Sequence, residues 1–135
     1  MLAKALAGYQ ALNYEKVTTT LLDREQRKVQ QALSPLMQDW STHGVSIASD
    51  GWSNLKYQSL INIMAVLGSR AIFTNGHDVS GMEKNATNIA DLLLKAIEFV
   101  GPSNVVQVMI DDAANFKAAG TIVQHKDSHI FWSSC

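Results

Sequence analysis

Apolar residues recur along the chain with two different periods, and the switch between them marks out the elements. After Asp23, the residues Val29, Leu33, Leu36, Met37 and Trp40 follow at helical spacing, with Arg24, Glu25, Arg27, Lys28 and Gln31 on the remaining face. That spacing predicts an amphipathic helix ending near His43-Gly44. Pro35 lies inside it, where it removes one backbone donor and crowds the preceding turn at a cost of about 3 kcal/mol, so a kink or break is expected there. Upstream, Met1 to Tyr14 suits a short helix. The β-branched run Val17-Thr18-Thr19-Thr20 resists one and reads as extended, within a lead-in segment over residues 1–22.

Beyond the helix the period shortens. Val45 to Ser49, Ser59 to Leu67 and Arg70 to Val79 are rich in β-branched and aromatic residues and read as three strands, the last two closed into a hairpin by Gly68-Ser69. Helical spacing returns with Ile89, Leu93, Ala96, Ile97 and Val100, started near Asn85 and stopped by Gly101-Pro102. Val105 to Ile110 is almost wholly apolar, which suits a central strand covered on both faces, and the crossover helix before it implies parallel pairing. A third helix from Ala113 to Gln124 packs through Phe116, Ala119, Gly120 and Val123, with Gly120 marking close packing. His129 to Trp132 forms a last short strand. The order predicts an α/β domain over residues 23–135 built on a mixed sheet, a three-strand antiparallel meander plus parallel strands.

Composition narrows the chemistry. A hydrophobic fraction of 47% over 135 residues supports one compact core. The formal net charge of −1 gives no broad basic footprint, so any DNA contact is expected to be local. The basic group Arg24, Arg27 and Lys28 is interleaved with Asp23 and Glu25 and reads as a solvated helix face. The single cysteine excludes an intrachain disulfide, and neither a membrane span nor a secretory core is legible, so a nuclear or cytoplasmic setting without membrane partners is expected. No glycine-rich phosphate loop, dinucleotide turn or nucleophile elbow is present, and no small-molecule substrate is expected.

The candidate chemistry lies in two acidic motifs, Ser49-Asp50-Gly51-Trp52-Ser53 and Ile110-Asp111-Asp112-Ala113-Ala114-Asn115, each placed where a strand runs out. Carboxylates at two strand ends can share a hard divalent cation. From spacing alone, Asp50 before Gly51 reads first as a turn aspartate and second as a metal ligand.

The motifs Gly44-Val45-Ser46-Ile47-Ala48-Ser49-Asp50-Gly51-Trp52-Ser53, Gly101-Pro102-Ser103-Asn104-Val105-Val106-Gln107 and Phe131-Trp132-Ser133-Ser134-Cys135 resemble a plant domain-of-unknown-function family of hAT-type transposase-like proteins, over about residues 17 to 135. The resemblance implies an RNase H-like fold with the first strand beside and parallel to the fourth. It further implies a core that cleaves and joins DNA with magnesium or manganese held by three acids. Asp50 matches the first acid and Asp111 the second, while the third, a late-helix glutamate, is expected beyond Cys135. Asp127, the only later acid, falls before the last strand. The implied domain is truncated, binds metal weakly and is catalytically silent. The alternative is a domesticated nuclear module that binds protein or DNA.

Two departures bear on that reading. The family's Asp-Asn-Ala is Asp111-Asp112-Ala113 here, so Asp112 is either a further, weaker metal ligand or a cap of the next helix, and the cap is favoured. Cys135 aligns with a family Cys-x-x-His motif whose histidine is absent, and reads as a free thiol. Asn115 is either the counterpart of the family's later asparagine or a solvated first-turn residue. Trp52 and Trp132 read as packing residues rather than a stacking platform. His125 and His129 straddle an expected turn and do not form a zinc pair. A sheet face left open by a missing last helix is expected to favour self-association.

Overall fold

A computed structural model describes residues 11–135. The chain divides into two compact units, Met1–Pro35 and Leu36–Cys135. The helix expected over Met1 to Tyr14 falls largely outside the described residues.

In the first unit Asn13 caps a short helix α1 (Tyr14–Lys16) by accepting from the Lys16 N–H at 2.8 Å. The chain continues through a π-helical turn, Val17–Leu21, into α2 (Leu22–Gln38). The expectation that Val17 to Thr20 is extended is therefore overturned. The threonine hydroxyls donate back along the helix, Thr18 Oγ1 to Tyr14 O at 2.9 Å and Thr19 Oγ1 to Glu15 O at 2.7 Å. Such bonds occupy backbone carbonyls, and a wider turn accommodates the crowding that a regular helix would impose on β-branched residues. The predicted break at Pro35 is displaced as well. Helix α2 runs through Pro35, and the interruption falls at Asp39, before α3 (Trp40–His43). Gln31 and Pro35 are both exposed, so water can serve the carbonyl that proline leaves without its donor.

The second unit holds β1 (Val45–Ser53), β2 (Ser59–Leu67), β3 (Arg70–Asp78), α4 (Ala86–Val100), β4 (Val105–Ile110), α5 (Ala114–Lys126) and β5 (Phe131–Ser134). The five strands form one sheet in the order β3-β2-β1-β4-β5. The pairs β1/β2 and β2/β3 are antiparallel, whereas β1/β4 and β4/β5 are parallel. This mixed α/β sheet with flanking helices is consistent with the RNase H-like arrangement expected from the sequence, with the first strand beside and parallel to the fourth.

One face of the sheet forms the core. Val45, Ile47, Ile61, Ile63, Ala65, Val108 and Ile110 are buried there, and α4 packs on β1 and β2 while α5 packs on β4 and β5. Alternation explains which residues go inside: in β1, buried Val45, Ile47 and Ser49 interleave with half-buried Ser46 and Ala48 and exposed Asp50. Asn85 caps α4 by accepting from the Asn88 N–H at 2.9 Å, and Gly101, at φ 96°, ends it in a conformation that side-chain-bearing residues rarely adopt.

Strand β1 is longer than its apolar run suggests. Pairing with β2 continues through Asp50↔Asn62 and Trp52↔Leu60 to Ser53↔Ser59. Asp50 is thus inside a strand, and the reading of Asp50-Gly51 as a turn is corrected. The turn lies at Asn54, whose side chain accepts from the Lys56 and Gln58 N–H groups at 2.9 and 3.0 Å.

Gly120 lets α5 approach the sheet edge: a Cβ there would lie 2.7 Å from the Trp132 ring and 3.0 Å from Ile110 Cδ1. Gly120→Ala should destabilise by about 1–3 kcal/mol through overpacking, read by urea denaturation of the purified protein. An unchanged midpoint would show that the Trp132 ring yields without cost.

Candidate functional site

The two acidic motifs meet because β1 and β4 run parallel in a fixed register, Ile47↔Val108 and Ala48↔Met109. Continued by two residues, that register sets Asp111, just past the end of β4, beside Asp50. Parallel neighbours lie roughly 5 Å apart, and in-register residues project to the same face. Asp50 and Asp111 both line a cleft of about 280 Å³, together with Ala48, Ser49, Met64, Asp112 and Cys135. The cleft is closed on one side by the chain's last residue, whose N–H donates to Ile110 O at 3.0 Å.

The three acids do not share one environment. Asp112 pairs with Lys117 Nζ at 2.7 Å. It does not cap α5: the capping position is Ala113, with no side-chain bond, because the helix starts one residue later than a cap at Asp112 requires. The favoured reading of Asp112 as a cap is therefore corrected. The hydrogen bond from Lys117, then its positive charge and a hydrogen bond from the Ser134 hydroxyl, hold the Asp112 carboxyl below the usual range. Among the described residues Asp50 and Asp111 have no ion-pair partner.

Carboxylate oxygens suit magnesium or manganese, whereas the soft Cys135 thiol does not. Among the described residues no group of three or more His, Cys, Asp or Glu side chains is placed to hold a metal ion. The donor set therefore fits one hard cation with water completing its shell, and falls short of a three-acid centre.

Several neighbouring residues acquire contacts that the sequence left open. Asn115 Nδ2 donates to Lys84 O at 2.9 Å, tying the start of α5 to the segment that leads into α4. His129 Nε2 lies 2.9 Å from Pro102 O. Arg24 and Lys28 contact Glu25 at 3.4 and 2.9 Å, as a solvated helix face would. Trp132 packs against Gly120, but Trp52 is 46% exposed, which overturns its reading as a packing residue. It stands at the base of a hairpin tip that also exposes Leu55 and Tyr57, the latter at φ 58°. Exposure follows from alternation: Trp52 projects to the same open face as Asp50, while its neighbour Gly51 still faces Phe116 of α5. Lys117 was missed; its signal was a lysine in the second turn of a helix that an aspartate precedes.

The lowered carboxyl of Asp112 gives a direct test. Any stability it contributes is present above the unfolded value and is lost as pH falls through the lower folded value. Carboxyl-detected NMR titration should place the Asp112 midpoint below that of an unstructured aspartate, and Lys117→Gln should raise it. An unmoved midpoint would contradict the pair.

A comparison with curated proteins gives no match. A family model described as Domain of unknown function (DUF659) matches residues 12–135, which span both acidic motifs and the whole sheet. On that match, the chain belongs to the DUF659 family.

Proposed function

We propose that the chain is a transposase-related domain whose Asp50 and Asp111 carboxylates hold one magnesium or manganese ion weakly, and that residues 1–135 alone do not cleave DNA. The observation that carries this reading is the register of β1 against β4, which brings together two carboxylates with no counter-charge. The family match and the resemblance of the Asp50-Gly51-Trp52 motif to hAT-type sequences support the ancestry.

A bound divalent ion would polarise a phosphoryl oxygen and lower the pKa of its water. Asp50 and Asp111 would hold it, each from a backbone position fixed by the sheet. Asp112 is committed to Lys117, which keeps a third carboxylate out of the first coordination sphere and places a cation at the rim of the cleft. In-line strand cleavage with two metals needs bridging and flanking carboxylates that this pair does not supply.

A second reading, a nuclear module that binds protein or DNA without catalysis, is favoured by the hairpin tip. Leu55 and Tyr57 there are almost fully exposed, on a loop whose Lys56 and Gln58 N–H groups donate to Asn54 and whose Tyr57 has φ 58°. Large exposed side chains on a hydrogen-bonded loop suit a contact surface.

Calorimetric titration of magnesium and of manganese into the wild type and into the Asp50→Ala, Asp111→Ala double variant tests the first reading. Saturable binding in the wild type that is lost in the double variant is expected. Identical traces would end the metal-site reading and leave the contact-surface reading standing.

A further inference from the structure

We propose that the open edge of β3 takes an extended acidic peptide as an added strand, its carboxylate seated on Lys95 in the groove between β3 and α4.

Among the described residues strand β3 pairs only with β2 and ends the sheet. The Val79 N–H bonds Ser59 O at 2.8 Å, and in an antiparallel ladder every second pair is bonded in this way. The bonded pairs are then Ile61/His77 and Ile63/Asn75, which leaves the N–H and C=O groups of Gly76 and Asp78 pointing away from β2. Thr74 occupies a bulge, with its hydroxyl on Ile63 O at 2.9 Å, so the regular open edge is the stretch from Asn75 to Asp78. The bulge at Thr74 and the charge of Asp78 limit the open edge to this short stretch, and Asn75-Gly76-His77 within it contains neither proline nor a charged residue.

Alternation sends the Asn75 and His77 side chains to the face that α4 covers. There they line a groove of about 230 Å³ with Thr74 from the strand and Lys95, Ala96 and Phe99 from the helix. The volume is below the roughly 300–1,000 Å³ of small-molecule pockets and suits one inserted side chain. A groove flanked by an open strand and a helix is the setting in which peptides add as strands, with main-chain bonds giving affinity and a side-chain pocket giving specificity.

Charge selects the inserted side chain. Lys95 makes no ion pair among the described residues, and Asp91 and Glu98, its neighbours on α4, stay beyond contact distance. Burial, with Lys95 nearby, holds His77 below the ordinary imidazole range, so the groove's charge comes from Lys95. Phe99, 61% exposed, offers an apolar wall to the next residue of the peptide. A second copy of β3 fits less well, because its one acid, Asp78, projects to the face opposite α4 and away from Lys95.

The test uses isotope-labelled protein and heptapeptides of sequence Lys-Thr-Val-Xaa-Val-Thr-Lys, with Glu, Gln or Lys at the centre. The Glu peptide should shift the Gly76, Asp78 and Lys95 resonances and slow amide exchange at Gly76 and Asp78. Asn75 and His77, already bonded to β2, should keep their exchange rates. The Gln peptide, or the exposed substitution Lys95→Gln, should weaken binding about ten-fold, the usual scale of a lost charge-assisted hydrogen bond. Three outcomes would overturn the proposal: no perturbation of β3 up to the peptide's solubility, equal affinity for the three peptides, or concentration-dependent shifts at Gly76 and Asp78 without peptide, which would assign the edge to a second copy.

Discussion

The parallel pairing of β1 with β4 is the constraint from which the rest of the second unit follows. Strand β4 lies beyond β2 and β1 from β3 and runs parallel to it, so no tight turn can join them and the chain must cross over, and α4 is that crossover. The helix ends at Gly101 and a 3₁₀ turn over Pro102–Asn104 feeds directly into Val105, opposite Val45. The apolar face of the crossover then covers β1 and β2, and α5 covers β4 and β5 in the same layer. With β2 bonded on its other side, β1 becomes the middle of the sheet, and its fully buried Val45 and Ile47 anchor the core.

The same pairing sets the electrostatics. Two carboxylates separated by about sixty positions in sequence come to line one cleft, and neither has an ion-pair partner among the described residues. Lys117 instead pairs with the neighbouring Asp112. The site is therefore divided: a paired, solvent-screened carboxylate at the start of α5, and an unpaired couple at the end of the β1/β4 ladder.

Much of the fold was legible because it rests on local patterns: the apolar stripe of α4, its Asn85 cap and Gly101 stop, the six apolar residues of β4, the Gly68-Ser69 turn. The failures have both tertiary and local causes. Asp50 looked like a turn residue because it precedes Gly51, yet pairing with β2 carries the strand on to Ser53. The threonines after Val17 looked extended by propensity, and hydroxyl-to-carbonyl bonds reversed it. For Asp112, a shift of one residue in the helix start decided between a cap and an ion pair. Asp50 and Asp111 were named from their motifs, but the groove between β3 and α4 joins residues whose juxtaposition depends on the ladder register and on the bulge at Thr74, which no local pattern encodes.

The most direct measurement on the central claim is a crystal structure of the protein grown with manganese and recorded at an anomalous wavelength. One anomalous peak within coordination distance of both the Asp50 and Asp111 carboxylates, with Asp112 still on Lys117, is the predicted result. Two carboxylates facing different sides of the sheet, or a peak on Asp112 with none between Asp50 and Asp111, would contradict it.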